Sequence, residues 1–286
     1  KIISIVRDYI NKFHIPPYNE QSHEGIIRHI VSRTGFKSGE IMVVIVTNGD
    51  ELPYKRELIK SLTENIPQIK SIVQNINSKR TNVILGSENK VLWGKDHIDD
   101  YIGDLKFKIS PLSFFQVNPV QTEILYKIAV DYAGLTGRET VIDAYCGIGT
   151  ISLFMARKAA KVLGVEVVPQ AIEDAKQNAW ENGIENVEFQ CGDAEELIPE
   201  LFKLGLQPDV IVVDPPRKGC SEKLLEAIAY AKPDRIVYVS CNPATLARDL
   251  SYLSKNGYQV QKVQPVDMFA QTSHVECVVL MSRMEK

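Results

Sequence analysis

The sequence predicts an α/β protein in which a doubly wound parallel sheet follows a small α+β domain. From Thr140 onwards, short β-branched runs alternate with segments of helical periodicity, which is the pattern of βαβ units with right-handed crossovers. The first run leads into a glycine-containing turn, Cys146–Thr150, and the second run ends in an acid, Glu166. A turn and an acid in these places predict a cofactor site at the carboxyl edge of the sheet.

The composition is that of an ordinary globular protein, with 44% hydrophobic residues, 24% charged residues and a formal net charge of −3. This balance argues against a uniformly basic nucleic-acid binder, although it leaves room for a local basic groove. No apolar run is long enough to span a bilayer and the first residues do not resemble a signal peptide, so we expect a cytoplasmic protein without a membrane partner. Because the chain starts at Lys1 without methionine, we also expect a fragment of a longer protein.

The cysteines argue against a disulfide framework and against a structural metal site. Their number is odd and no two of them are closely spaced. They are Cys146, Cys191, Cys220, Cys241 and Cys277. We therefore expect reduced thiols and no metal.

Residues 1–109 predict the small α+β domain, with substrate recognition or docking as its expected role. Apolar spacing predicts helices over residues 3–13 and 54–65 and a β-hairpin formed by residues 25–31 and 41–46. Further strands are predicted over residues 72–77, 82–85, 91–93 and 105–109. Basic residues flank the turns and either line a phosphate path or are simply solvated; they are Arg28, Arg33, Lys37, Lys79 and Arg80.

The sequence of residues 110–286 predicts the doubly wound sheet. Seven apolar runs read as strands, over residues 141–145, 162–166, 187–191, 210–213, 235–239, 258–263 and 275–280. Asp193 follows the third run, where it either caps a helix or binds an adenine amino group. Asp214 closes the fourth run and is held in a rigid corner by the two prolines that follow it.

The glycine turn favours S-adenosylmethionine over a dinucleotide. Glu166 lies 17 residues after Gly149, a distance that suits a carboxylate binding ribose hydroxyls. A dinucleotide site would favour a third glycine where this chain has Ser152.

Cys241 stands in the turn that leaves the fifth run, just before a predicted helix. A cysteine near a helix N-terminus is expected to favour the thiolate and to be reactive. The alternative is a small buried residue at a tight turn, which is the usual situation of a free cysteine. Glu276 lies near the start of the last run, so it would share this edge with Cys241 if that strand is antiparallel to the others.

With these residues in view, the chain resembles the uracil-C5 RNA methyltransferases that use S-adenosylmethionine. Four segments carry the resemblance: Asp143–Thr150, Asp214–Gly219, Ser240–Pro243 and His274–Cys277. The resemblance implies a Rossmann-like methyltransferase sheet of seven strands with the last strand antiparallel, and a catalytic domain that begins at residue 110. The implied activity is methyl transfer from S-adenosylmethionine to carbon 5 of a uridine in RNA. The branch that acts on 23S rRNA is the most similar, and the tRNA enzymes are close behind.

The resemblance also implies roles for individual residues. It makes Cys241 the nucleophile that adds to carbon 6 of the uracil and Glu276 the base that later removes the hydrogen from carbon 5. The implied cofactor contacts are Gln116, Tyr145, Gly147, Thr150, Glu166, Asp193 and Asp214. The implied substrate contacts are Asp214, Arg217 and Phe115.

Two features depart from the family pattern. Many ribosomal members carry an upstream oligonucleotide-binding barrel, which this sequence does not contain. Some members bind an iron–sulfur cluster through closely spaced cysteines, whereas the first cysteine here is Cys146. We therefore expect no cluster in these residues.

Three alternatives stay open. An adenine-N6 or protein-amide methyltransferase would use Asp214-Pro215-Pro216, but it would favour an aromatic residue where Arg217 stands. A noncatalytic RNA-binding platform would need neither Cys241 nor Glu276. An NAD-dependent dehydrogenase is disfavoured by Ser152.

Overall fold

The computed structural model describes residues 1–284, which divide into two compact units. The first comprises Lys1–Tyr101 and Phe107–Ser113, and the second comprises Ile102–Lys106 and the chain from Phe114 onwards. A domain boundary between residues 109 and 110, with a recognition role for the part before it, stays a prediction. Within residues 1–284, no helix is long and apolar enough to cross a membrane.

The first unit is built on a four-stranded sheet with helices packed on it. Its elements are α1 (Ile2–Lys12), β1 (Ile27–Thr34), β2 (Ile41–Thr47), α2 (Lys55–Asn65), β3 (Ile69–Ile76) and β4 (Glu88–Gly94). The hairpin strands β5 (Ile98–Ile102) and β6 (Leu105–Ile109) follow, and their residues are divided between the two units because Ile102–Lys106 belong to the second. The sheet order is β1-β2-β3-β4, in which only β2 and β3 are parallel. Buried side chains of α1, α2, β2 and β3 form one apolar cluster that holds the layers together. The predicted helices and the predicted β1–β2 hairpin are confirmed.

The strand predicted over residues 82–85 is wrong. Val83 and Ile84 are β-branched, but their carbonyls accept hydrogen bonds from the side chain of Asn77 instead of joining a ladder. The strand that pairs with β3 starts later, at Glu88. Residues 78–86 therefore form an exposed loop between β3 and β4.

The second unit carries a seven-stranded sheet with helices on both faces. Its elements are α3 (Pro119–Ala133), β7 (Thr140–Ala144), α4 (Thr150–Ala156), β8 (Lys161–Glu166), α5 (Pro169–Glu181), β9 (Val187–Cys191), α6 (Ala194–Lys203), β10 (Val210–Val213), α7 (Glu222–Ala231), β11 (Arg235–Ser240), α8 (Pro243–Lys255), β12 (Tyr258–Val266) and β13 (Glu276–Arg283). The strand order is β12-β13-β11-β10-β7-β8-β9. Strands β7 to β11 are parallel, and β13 is antiparallel to both of its neighbours. The predicted Rossmann-like sheet with an antiparallel last strand is confirmed.

The direction of winding reverses between β7 and β10. The chain proceeds outwards from β7 through β8 to β9, and then returns to place β10 on the other side of β7. Open α/β sheets bind their ligands in the crevice at such a reversal, beyond the carboxyl ends of the strands. All four residues of β10 are buried, as expected for a parallel strand covered on both faces. The fold thus predicts a ligand site between the turn after β7 and the corner after β10.

Candidate active site

The carboxyl edge of the seven-stranded sheet collects most of the predicted site residues. Across the sheet the order is Glu276 on β13, Cys241 after β11, Asp214 after β10, the turn 145–149 after β7, Glu166 on β8 and Asp193 after β9. Ser240 pairs with Cys277 across the antiparallel β11–β13 ladder, so Cys241 and Glu276 are the next two residues in that register. The fold therefore brings together residues that lie far apart in the sequence.

Cys241 is half-buried in a turn whose polar groups are fully used. The Ser240 hydroxyl accepts the backbone N–H of Asn242 at 3.1 Å, and the Asn242 side chain accepts the N–H of Ala244 at 3.1 Å as the cap of α8. The amide nitrogen of Asn242 donates to the carbonyl of Arg217 at 2.9 Å. One side chain thus ties the cysteine turn to the loop that follows Asp214.

The expectation that the helix N-terminus favours a thiolate is wrong for the ligand-free protein. Burial raises the pKa of the Cys241 thiol, and the nearby Glu276 and Asp214 carboxylates raise it further, while Arg217 opposes them. The Asn242 side chain already caps the start of α8 by accepting the N–H of Ala244. Cys241 therefore rests as a neutral thiol.

Two carboxyl groups near this thiol, and a third on β7, have unusual pKa values. Burial raises the pKa of Glu276, which is 2% exposed, to about 8, and the charge of Asp214 adds to this. Burial also raises the pKa of Asp214 to about 6. The pKa of Asp143 is raised to about 7, first by burial and also by Asp214 and Glu166, although the hydrogen bond from the Ser152 hydroxyl at 2.6 Å opposes the shift. A cation bound at this edge would relieve the mutual repulsion of these groups.

The glycine turn after β7 is shaped for close approach by a ligand. Gly149 has φ +83°, and a side chain there would collide with the ring of Phe189. Gly147 has φ +55° and faces open space. Tyr145, with φ +74°, adopts the same left-handed region without being glycine, and such strained residues cluster at functional sites.

Glu166 holds this turn in place. One of its carboxylate oxygens accepts the N–H of Gly147 at 3.2 Å, and the other accepts the N–H of Val168 at 2.9 Å. Within residues 1–284, Asp143 Oδ1 is a buried oxygen with no hydrogen-bond partner. This arrangement fits a ligand that combines ribose hydroxyls with a positive charge. Gly147 leaves open space, Glu166 supplies a carboxylate for the hydroxyls, and the buried carboxyl group of Asp143 suits the positive charge.

The remaining predicted site residues differ in their surroundings. Asp193 caps α6 by accepting the N–H of Glu195 at 2.9 Å, which confirms the capping interpretation and leaves the adenine contact a prediction. The Thr150 hydroxyl bonds the hydroxyl of Tyr126 at 2.9 Å. Gln116 is buried, Phe115 is half-buried and Arg217 is exposed. Within residues 1–284, no group of three or more His, Cys, Asp or Glu side chains is arranged to hold a metal ion.

The sequence interpretation missed a buried network on α8 that fixes the loop after β10. Asp249 is fully buried and accepts the N–H of Cys220 at 2.9 Å and the hydroxyl of Tyr238 at 2.6 Å. Arg248 bonds Asp249 at 2.7 Å and donates to the carbonyls of Lys218 and Cys220. The signal was present in the sequence, because Asp249 shares the apolar face of α8 with Leu246 and Leu253.

The fold and the site together define a class. A sheet of this order, a glycine turn after its first strand and an acid at the end of the second are the features of a Rossmann-like methyltransferase. The chain belongs to the tRNA (uracil-5-)-methyltransferase family, whose model matches residues 38–284. The resemblance drawn from the sequence motifs is therefore confirmed.

Relatives and solved structures support the same assignment. An uncharacterized RNA methyltransferase of Clostridium tetani is 58% identical over 282 residues, which is 99% of this chain and 61% of that protein. One of Halalkalibacterium halodurans is 58% identical over 281 residues, covering 98% of this chain and 61% of that protein. The chain thus spans about three fifths of the length of the curated relatives that it matches.

Among solved structures, the tRNA (uracil-54, C5)-methyltransferase of Pyrococcus abyssi in complex with S-adenosyl-L-homocysteine is similar with a TM-score of 0.80 and 31% identity. The match covers 98% of this chain and 66% of that one. Trm5b of the same organism shares the fold, with a TM-score of 0.57 and 16% identity over 85% of this chain and 73% of that one.

The raised pKa values predict a pH-dependent stability. Carboxyl groups of the unfolded chain have pKa values near 4. Burial raises those of Asp143 and Asp214 to about 7 and about 6, so between about pH 4 and pH 7 the folded state holds more protons than the unfolded state. The free energy of unfolding of the ligand-free protein should therefore fall as the pH rises through this window, as measured by urea denaturation.

Asp143→Asn tests this expectation, because the amide keeps the shape and cannot ionise. We expect its free energy of unfolding to fall less between pH 5 and pH 8 than that of the natural chain, by roughly 1 to 4 kcal/mol. The matched control is Asp131→Asn at an exposed position of α3. Identical pH profiles for Asp143→Asn and the natural chain would contradict the assigned role of buried charge.

Proposed function

We propose that this chain transfers a methyl group from S-adenosylmethionine to carbon 5 of a uridine in RNA. The observation that carries the proposal is the pairing of β11 with β13, which sets Cys241 next to Glu276 and beside Asp214. A thiol and a carboxylate on the same side of a cofactor crevice are the two groups that uracil-C5 chemistry needs. The family membership supports the same reaction.

The residues of the crevice fit S-adenosylmethionine. Those proposed to hold it are Gln116, Tyr145, Gly147, Thr150, Glu166, Asp193 and Asp214. When bound, this cofactor supplies a methyl group on a positively charged sulfur. The buried carboxyl groups around Asp143 and Asp214 suit that charge, and the similar tRNA methyltransferase structure holds the related S-adenosyl-L-homocysteine.

The proposed role of Cys241 is nucleophilic. Its deprotonated sulfur adds to carbon 6 of the uracil, and the electron pair of the ring double bond moves towards the carbonyl oxygen at position 4, so that carbon 5 becomes able to accept a methyl group. A thiolate suits this role because it both adds and leaves readily.

Glu276 completes the reaction as a general base. Its carboxylate removes the proton that remains on carbon 5, the double bond between carbons 5 and 6 forms again, and the bond from carbon 6 to the Cys241 sulfur breaks to release the thiolate. Both groups act only when deprotonated, so the raised pKa values of Cys241 and Glu276 favour activity on the alkaline side of neutrality in the free enzyme.

Arg217, Asp214 and Phe115 are the proposed uracil and RNA contacts. Asn242 and Thr245 both donate to the carbonyl of Arg217, which fixes its backbone and leaves an exposed guanidinium to meet a phosphate or a base. The target uridine must leave its helical or stacked surroundings to reach Cys241, at a cost of a few kcal/mol.

The proposed substrate is 23S rRNA in the cytoplasm, with tRNA as the second candidate. The sequence resemblance favours the ribosomal branch, whereas the family description and the similar Pyrococcus abyssi enzyme favour tRNA. Mass mapping of 5-methyluridine in 23S rRNA and tRNA from a strain lacking the gene separates them. Loss from 23S rRNA alone supports the first candidate, loss from tRNA alone supports the second, and loss from neither contradicts the proposed function.

Cys241→Ala should abolish methyl transfer, by at least about a thousandfold, because no other group can activate carbon 5. The affinity for S-adenosylmethionine, measured by isothermal titration calorimetry, should change less than threefold. The matched control is Cys191→Ala, which removes an exposed thiol and should keep full activity. Methylation by Cys241→Ala at the natural rate would rule out Cys241 as the nucleophile and leave a noncovalent mechanism.

Glu276→Gln should trap the covalent RNA adduct, because the amide cannot remove the proton from carbon 5. A band of retarded mobility on a denaturing gel should accumulate with methylated RNA, and the additional change Cys241→Ala should abolish it. If neither the natural chain with 5-fluorouridine RNA nor Glu276→Gln with uridine RNA forms an adduct, the covalent mechanism is wrong.

A further inference from the structure

The loop of residues 78–86, in the first unit, is held by an unusual number of buried polar side chains. Asn75 and Asn77 are 0% and 3% exposed, and both direct their amides at backbone groups of this segment. Asn75 donates to the carbonyls of Gly86 and Glu88 and accepts the N–H of Gly86 at 2.7 Å. Asn77 donates to the carbonyls of Val83 and Ile84 and accepts the N–H of Lys79.

Arg28 of β1 holds the other side of the same loop. Its side chain is 1% exposed and its guanidinium lies 4.3 Å from the ring centroid of Tyr18. It donates to the carbonyls of Asn77 at 2.7 Å, Lys79 at 2.9 Å and Thr81 at 3.5 Å. A buried cation is costly unless it is hydrogen-bonded, and both terminal nitrogens of Arg28 use this loop for that purpose, although its Nε has no partner within residues 1–284. The shape of the loop is therefore strongly specified.

The close approach of the chain at Gly86 adds a further constraint. A Cβ atom at this position would lie 1.9 Å from the carbonyl oxygen of Ile76, so only glycine fits. The loop is therefore fixed at both ends and in the middle. Loops are usually mobile and lack such support. A loop that is held in this way is expected to present its outward side chains in a fixed arrangement.

The outward side chains of the loop are basic and apolar. Lys79 and Arg80 are exposed, and residues 77–87 contain no carboxylate. Val83 is 62% exposed and Ile84 is 48% exposed. Such exposure is unusual for these apolar residue types, and neither residue belongs to a strand. Cations next to apolar side chains match the phosphates and the unstacked bases of single-stranded RNA.

We propose that the loop 78–86 is an RNA-contact element of the first unit, in which Lys79 and Arg80 bind backbone phosphates and Val83 and Ile84 contact unpaired bases. This inference rests on the proposed function, because it supposes an RNA substrate. The buried side chains Arg28, Asn75 and Asn77 act as positioning residues, since they fix the loop before the RNA arrives and reduce the ordering cost of binding.

The test measures binding of a labelled 20-nucleotide oligouridine to the full-length protein over a range of salt concentrations. Lys79→Ala combined with Arg80→Ala should weaken binding at least tenfold and lower the salt dependence, by about 0.7 for each lost phosphate contact with a single strand. Val83→Ala combined with Ile84→Ala should weaken binding about threefold to tenfold and leave the salt dependence unchanged.

The matched control is Lys55→Ala combined with Arg56→Ala, which removes an adjacent exposed cation pair from the start of α2 in the same unit. It should change the affinity less than threefold. Equal losses for the two basic pairs would assign the effect to net charge and overturn the proposal. Unchanged binding by both loop variants would also overturn it.

Two further measurements keep this proposal separate from the proposed function. At saturating RNA, the Lys79 and Arg80 double variant should methylate with a kcat within twofold of the natural chain while its KM for RNA rises. Asn77→Ala keeps the loop charges and should still raise that KM, because the loop loses its shape. If the natural chain neither binds nor methylates RNA, the proposed function fails; if it does both and these KM values stay unchanged, only the loop assignment fails.

Discussion

The antiparallel insertion of β13 between β11 and β12 is the constraint on which the site depends. A parallel seventh strand would begin at the opposite edge of the sheet and would place Glu276 far from Cys241. The observed register, with Ser240 opposite Cys277, brings the start of β13 to the carboxyl end of β11. The same edge carries Asp214 and the glycine turn, because the winding reverses between β7 and β10.

This geometry places several carboxyl groups in one poorly solvated region, where their charged forms are unfavourable. Several carboxyl groups share a buried edge, and their pKa values rise because burial and mutual repulsion disfavour the charged forms. Burial likewise raises the pKa of the Cys241 thiol, and any negative charge on Glu276 or Asp214 raises it further. A thiol is oxidised less readily than a thiolate, so the raised pKa is expected to protect Cys241 from oxidation.

The sequence was sufficient to predict the architecture of the second unit, because buried parallel strands such as Val210–Val213 are continuous apolar runs that turns interrupt. It was insufficient where side chains satisfy the backbone. Asp100 accepts the N–H groups of Phe36, Lys37 and Ser38, so the strand Ile98–Ile102 carries two buried acids and lacks an apolar pattern. The side chain of Asn77 causes the opposite error, a strand predicted where none forms. It donates to the carbonyls of the β-branched residues Val83 and Ile84, which do not pair with a strand.

The candidate site was likewise predictable from the sequence only in part. The positions of Cys241, Asp214 and Glu276 follow from strand ends, which a sequence pattern indicates well. The pKa of Cys241 depends on burial and on charges from two other strands, and the Asp249 network depends on contacts between α8 and a distant loop. Such properties arise only when the whole fold is assembled, so local reasoning about the helix dipole gave the wrong direction.

The hydrogen bond from the Asn242 amide to the carbonyl of Arg217 gives the Ser240–Pro243 segment a structural role in addition to its proposed chemical one. Asn242 is the chain neighbour of Cys241, the proposed nucleophile, and Arg217 stands on the loop that continues Asp214. The Thr245 hydroxyl donates to the same carbonyl at 3.3 Å, so the turn that carries Cys241 and the first turn of α8 are both anchored to the loop after Asp214. The turn after β11 and the loop after β10 are therefore held together as one hydrogen-bonded unit.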